Sequence, residues 1–290
     1  MGRGRRPGGN ALTWPAVLAV IAATVQEAGA ALATSLFAPL GVAGTVCSRF
    51  VVAAVVLGLV ARPRLRQVPR PALMSIVALG SSLAIMNFCF YESISRIPLG
   101  IAVTIEICGP LVLSVVLSSS ASGWWWAVMA FCGVALIGFG RGPFETSDVV
   151  GLMFAAAAAV SWAAYILSAA TAGTRLASRD ALFLASCLGA LLIGPAAMVT
   201  IDRDAAMQPN VIGLIVVVGL MCSVIPYSLE LIALRTLPAS TFAILASLSP
   251  AIAVVAGWFI LGQRLGTVDI VAVLCVIVAS VGAVRSASAT

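Results

Sequence analysis

Ten apolar runs, each close to the length a helix needs to cross a bilayer, constrain this chain more than any other feature. They fall at residues 14–34, 42–61, 72–90, 99–118, 124–140, 149–171, 181–200, 211–231, 239–261 and 267–285. Short polar or Pro/Gly joints separate them, such as Arg62-Pro63-Arg64 and Arg141-Gly142-Pro143. A chain of 290 residues that is 62% hydrophobic and 9% charged cannot hide so much apolar surface from water. This excludes a soluble enzyme, a nucleic-acid binder and a disordered chain. The expected fold is an all-α polytopic membrane protein of ten transmembrane helices, with the lipid bilayer around its outer face. No joint has room for a soluble domain, so the helices carry the function. Gln26 and Glu27 interrupt the first run, which argues against a cleavable signal peptide.

The chain has no His, and all 16 of its basic residues are Arg. Imidazole catalysis, histidine metal sites, Schiff-base lysines and P-loop lysines are thereby excluded, and no metal or cofactor is expected. The seven Cys are scattered through apolar runs with no CxxC pair and read as small buried fillers. Arginines report the orientation instead. Eleven lie on the side of the N-terminus and four on the opposite side, with Arg49 inside a run. This excess places both termini in the cytoplasm.

The two halves resemble each other. Pro98 and Pro110 are twelve residues apart, as are Pro238 and Pro250, and the offset between the pairs is 140. That offset lays the fourth run over the ninth and divides the chain into five-helix repeats at 1–143 and 147–290. An odd number of spans per repeat forces the second copy to enter from the other side. Inverted repeats point to a transporter whose substrate site lies near the membrane midplane.

Polar residues within the runs are costly and mark candidate sites. Glu106 sits mid-run. It reads as a cavity carboxylate for a substrate ammonium or a coupling proton, or as a structural carboxyl between helices. Arg49 could hold a substrate carboxylate bidentately or pair with Glu27 or Glu106 to brace the bundle. Gln26, Glu27, Asn87 and Tyr91 offer further hydrogen-bonding groups. Trp162 and Tyr165, three apart on the sixth run, either line the cavity or pack. Pro110, Pro226 and Pro250 interrupt the backbone ladder and are candidate hinges. Glu92 and Arg96 have the favourable i,i+4 order of a solvated helix pair. Glu230, one turn from Arg235, reads as a surface or gating pair.

Several segments resemble the drug/metabolite transporter superfamily, its EamA-like branch, and within it the threonine/homoserine exporter family. They include Met86–Leu111 with PLGIAVTIE-x-x-GPL, Gln26–Leu36, Ser161–Ser168 and Pro226–Leu237 with PYSLE-x-IAL. Phe242, Ser249-Pro250-Ala251 and Phe259–Gln263 fit as well. The resemblance implies a bacterial inner-membrane exporter of small zwitterionic amino acids driven by protons. The alternative is an EamA-like exporter of another metabolite, an aromatic amino acid or a drug. Gln263-Arg264 departs from the family's usual Gly-Glu and leaves no carboxylate at that corner.

Overall fold

The computed structural model describes residues 9–61, 70–118, 121–139, 146–173, 178–226, 228–229 and 245–288. No strand occurs among them. This follows from the composition, because an apolar segment in lipid must satisfy its amides and carbonyls within itself. The first half holds α1 (Gly9–Ala33), a 3-10 turn (Thr34–Leu36), α2 (Phe37–Ala61), α3 (Arg70–Ile94), α4 (Leu99–Glu106), α5 (Cys108–Ser118) and α6 (Ala121–Phe139). The second holds α7 (Thr146–Gly173), α8 (Ser178–Thr200), the short α9 (Arg203–Ala206), α10 (Pro209–Gly219), α11 (Ser249–Leu261) and α12 (Thr267–Ser288). Four stretches are long and apolar enough to cross a membrane: Trp14–Val60, Ala72–Ile94, Asp148–Ala169 and Asp180–Thr200. Shorter apolar helices lie on the remaining runs.

The helices depart from regularity where the sequence removes a donor or a side chain. The Trp14–Val60 stretch folds over at the 3-10 turn and at Gly41, whose φ of 68° lies in the left-handed region. The run expected at 99–118 divides at Ile107, between α4 and α5. Pro110 lies four residues after Glu106 and offers its carbonyl no amide. After α10 the backbone widens into one π turn, Leu220–Val224, just ahead of Pro226. Pro250 differs from the other two. It sits in the first turn of α11, where an amide would have no helical partner in any case. Residues 230–244, with Glu230, Arg235, Pro238 and Phe242, lie outside the described residues, as does Tyr227.

Packing pairs the two halves. α3 runs along α7, α2 along α8, and α6 along α12. Leu36, Leu40, Val46, Leu83, Leu99 and Ile101 are fully buried in the shared core. Large apolar side chains such as Met74, Val160 and Val199 point outward, as lipid contact requires. One end of the bundle is stitched by hydrogen bonds between joints. The Asp202 amide donates to the Pro39 carbonyl at 3.0 Å and the Thr200 hydroxyl to the Leu40 carbonyl at 3.1 Å. The Leu99 amide, at the start of α4, donates to Gln263 Oε1 at 3.0 Å. Gly262 in the left-handed region ends α11 and turns Gln263 back toward α4, with the Gln263 amide on the Gly257 carbonyl. A neutral side-chain amide thus accepts from an N-terminal helix amide at this corner. At the same end Glu92 and Arg96 form an i,i+4 ion pair, and Arg96 lies 5.2 Å over the Phe154 ring.

Among the described glycines the tightest approach is at Gly109, where a Cβ would come within 1.9 Å of the Ala159 carbonyl oxygen. Gly109→Ala is expected to force α5 from α7 at a cost of at least about 1–3 kcal/mol. It should lower the Tm of the purified protein by several degrees. Gly194→Ala, whose Cβ meets nothing, should leave Tm nearly unchanged.

Candidate functional site

Six of the polar candidates line one cavity. Gln26 and Glu27 enter from α1, Arg49 from α2, Asn87 and Tyr91 from α3, and Glu106 from the end of α4. Ala30, Met86, Phe90 and Cys222 complete the lining. The helical period explains part of this convergence, since Asn87 and Tyr91 are four residues apart and share one face of α3. The cavity has a volume of about 50 Å³, enough for a few waters. Glu27, Arg49, Asn87, Tyr91 and Glu106 are all buried.

Arg49 is held on three sides. Its Nη1 donates to Asn87 Oδ1 at 3.0 Å, and its Nη2 donates to the Cys222 carbonyl at 3.1 Å. Its Cζ lies 4.7 Å from the centroid of the Tyr91 ring, a cation–π contact. The partners are themselves fixed. Asn87 Nδ2 donates to the Leu83 carbonyl at 2.9 Å, which leaves Oδ1 to face the guanidinium. Phe37 and Phe90 pack edge-on to Tyr91, with centroids 5.9 and 5.6 Å away. The Tyr91 hydroxyl reaches Cys222 Sγ at 3.7 Å.

The carboxylates are treated differently. Among the described residues, neither Glu27 nor Glu106 accepts a hydrogen bond or makes an ion pair. A buried carboxylate without such compensation is costly. Both groups open onto the cavity, so a cation or a proton arriving there would meet them. A second cavity, lined by Phe50, Ala53, Leu57, Leu83, Leu182 and Ser186 among others, shares Arg49 and Asn87 with the first. The Arg49–Asn87 pair therefore stands between the two.

The remaining candidates lie elsewhere. Trp162 packs with the apolar cluster around Ile107, Leu111 and Val276, and Tyr165 packs against the main core. Neither is in the cavity lining. Pro110 and Pro226 adjoin lining residues without lining the cavity, and Pro250 opens α11. Cys222 is the lining residue that its type disguised, because a lone Cys in an apolar run reads as filler.

Comparison with known proteins places this architecture in a family. Residues 149–285 match the EamA-like transporter family. Over 269 residues the chain is 33% identical to the threonine/homoserine exporter RhtA of Salmonella typhimurium, spanning 92% of this chain and 90% of that protein. The RhtA exporter of Escherichia coli (strain K12) matches with the same identity and coverage. The chain belongs to the EamA-like transporter family. An EamA-like protein is a membrane transporter and not an enzyme, which fits a buried polar cavity among apolar helices. A solved crystal structure, 16% identical, superposes with a TM-score of 0.61 over 97% of this chain and 98% of its own, and so shares the fold.

The Arg49 clamp makes a quantitative expectation. Asn87→Leu removes a charge-assisted acceptor from a buried guanidinium and should cost about 1.5–3 kcal/mol. Tyr91→Phe keeps the ring under Arg49 and should cost less than about 1 kcal/mol. Thermal unfolding of the two purified variants should rank them in that order.

Proposed function

We propose that this protein is a secondary-active exporter of small zwitterionic amino acids of the threonine/homoserine type. It works by alternating access in the bacterial inner membrane, coupled to protons. The observation that carries the reading is the cavity where one clamped guanidinium meets two carboxyl groups that accept no hydrogen bond among the described residues. An α-amino acid presents the complementary pair of charges. Its carboxylate would face Arg49, whose planar guanidinium presents N–H donors in a fork that matches a carboxylate. Its ammonium would face Glu27 and Glu106. The small volume suits a small side chain better than an aromatic one. The identity to two threonine/homoserine exporters supports the same substrate class.

Proton coupling follows from the same carboxylates. When the substrate leaves, one of them takes a proton in place of the ammonium, so the cavity does not return empty and charged. Glu106 ends α4 at the Ile107 break, where a change of helix direction would move it. The chain is read as ten transmembrane helices in two inverted five-helix repeats with both termini cytoplasmic. On that reading the stitched end of the bundle faces outward. The second cavity, toward the ends of α2 and α8 that the arginine count places inside, lies on the cytoplasmic approach. Arg49 and Asn87 would then form the partition that substrate passes.

Efflux of labelled threonine and homoserine from preloaded cells tests the reading. Cells carrying the protein should lose both faster than cells without it, and a protonophore should abolish the difference. Glu106→Gln, present in the membrane at the normal level, should slow the coupled efflux by about tenfold or more. Equal efflux from both strains, with the protein shown to be in the membrane, would overturn the substrate assignment.

A further inference from the structure

Four neutral side chains able to hydrogen-bond line the cavity: Gln26, Asn87, Tyr91 and Cys222. Three of them are engaged within the protein. Asn87 uses its Nδ2 on the Leu83 carbonyl and its Oδ1 on Arg49. The Tyr91 hydroxyl donates to Cys222 Sγ at 3.7 Å, and the Cys222 thiol donates to the Gln26 backbone carbonyl at 3.9 Å. The Gln26 carboxamide makes no hydrogen bond among the described residues. An amide left unpaired in an apolar bundle is costly. The face of α1 that carries it is pressed against the site. Ala30, four residues on, lines the same cavity, and a Cβ on Gly29 would meet Cys222 Sγ at 2.6 Å.

We propose that Gln26 recognises the side-chain hydroxyl of the substrate and so selects hydroxy amino acids over apolar ones of the same size. The inference rests on the amino-acid reading above, in which Arg49 takes the carboxylate while Glu27 and Glu106 take the ammonium. Those assignments leave the hydroxyl as the remaining polar group of threonine or homoserine. They leave Gln26 as the unengaged neutral group of the lining. The two match in chemistry, because an amide offers both an acceptor and donors, and so does a hydroxyl. They also match in place. Gln26 directly precedes Glu27 in the chain. The hydroxyl of threonine is borne by the carbon next to the α-carbon, close to the ammonium. A site that hydrogen-bonds a substrate hydroxyl rejects an analogue lacking it, since the amide then stays unpaired after water is excluded.

Equilibrium binding of threonine, homoserine and valine to the purified protein tests this. Valine has the shape of threonine with a methyl group in place of the hydroxyl. The unaltered protein should bind threonine at least about tenfold more tightly than valine. Gln26→Met keeps an unbranched chain of similar length without the amide. It should weaken threonine about tenfold and change valine by less than about twofold, so that the preference disappears. Equal weakening of both would make Gln26 a packing residue and overturn the proposal. Gln26→Asn keeps the amide but withdraws it by one methylene. It should shift the preference from threonine toward homoserine, whose hydroxyl sits one carbon further out, by about fivefold. An unchanged ratio of threonine to homoserine affinity would overturn the proposal. If Gln26→Met fails to accumulate in the membrane, that ratio decides alone, and loss of both variants would again mean packing. Threonine and valine binding alike to the unaltered protein would overturn this inference and leave the amino-acid reading standing. No binding of threonine or homoserine would remove the reading itself, and the inference with it.

Discussion

The guanidinium of Arg49 is the charge around which the interior is organised. A cation in an apolar bundle is tolerable only when its donors and its charge are answered locally. Here the answer comes from separate parts of the chain: an amide oxygen on α3, a backbone oxygen from the π turn after α10, and an aromatic face on α3. Those contacts tie the first half of the chain to the second. They also decide which side chains share the cavity, because Asn87 and Tyr91 bring Met86 and Phe90 with them on α3.

Prolines supply what apolar residues cannot. In lipid the backbone has no water to turn to, so every interrupted hydrogen bond must have a use or a substitute. In the π turn ahead of Pro226 the Cys222 carbonyl receives Arg49 Nη2, and the Ser228 hydroxyl donates to the Val224 carbonyl at 2.7 Å. At Pro110 the helix divides beside Glu106, at the edge of the same cavity. Two of the three candidate hinges therefore adjoin cavity residues, while Pro250 starts a helix. A clamped guanidinium and two carboxyl groups that accept no hydrogen bond among the described residues thus share one small volume.

Much of this was legible in the sequence because the membrane simplifies the code. Helical runs follow from hydropathy, and a polar residue within a run is expensive enough to be a candidate by default. That logic selected Gln26, Glu27, Arg49, Asn87, Tyr91 and Glu106, which share the cavity. It did not separate them from Trp162 and Tyr165, since an aromatic ring packs against apolar neighbours as readily as it faces a void. It also passed over Cys222 and Gln263, whose contributions depend on tertiary placement. Cys222 acts through a backbone oxygen that any residue type would carry. Gln263 reaches the amide of Leu99, 164 residues away in the chain. No local pattern encodes that contact.

Equilibrium binding of threonine and two blocked derivatives to the purified protein is the most direct test of a zwitterion site. The methyl ester lacks the carboxylate that would meet Arg49, and the N-acetyl derivative lacks the ammonium that would meet Glu27 and Glu106. Each should bind at least about tenfold more weakly than threonine, the scale of one lost charge-assisted contact in a buried site. If all three bind alike, the buried polar cavity is not where the amino acid's two charges are recognised.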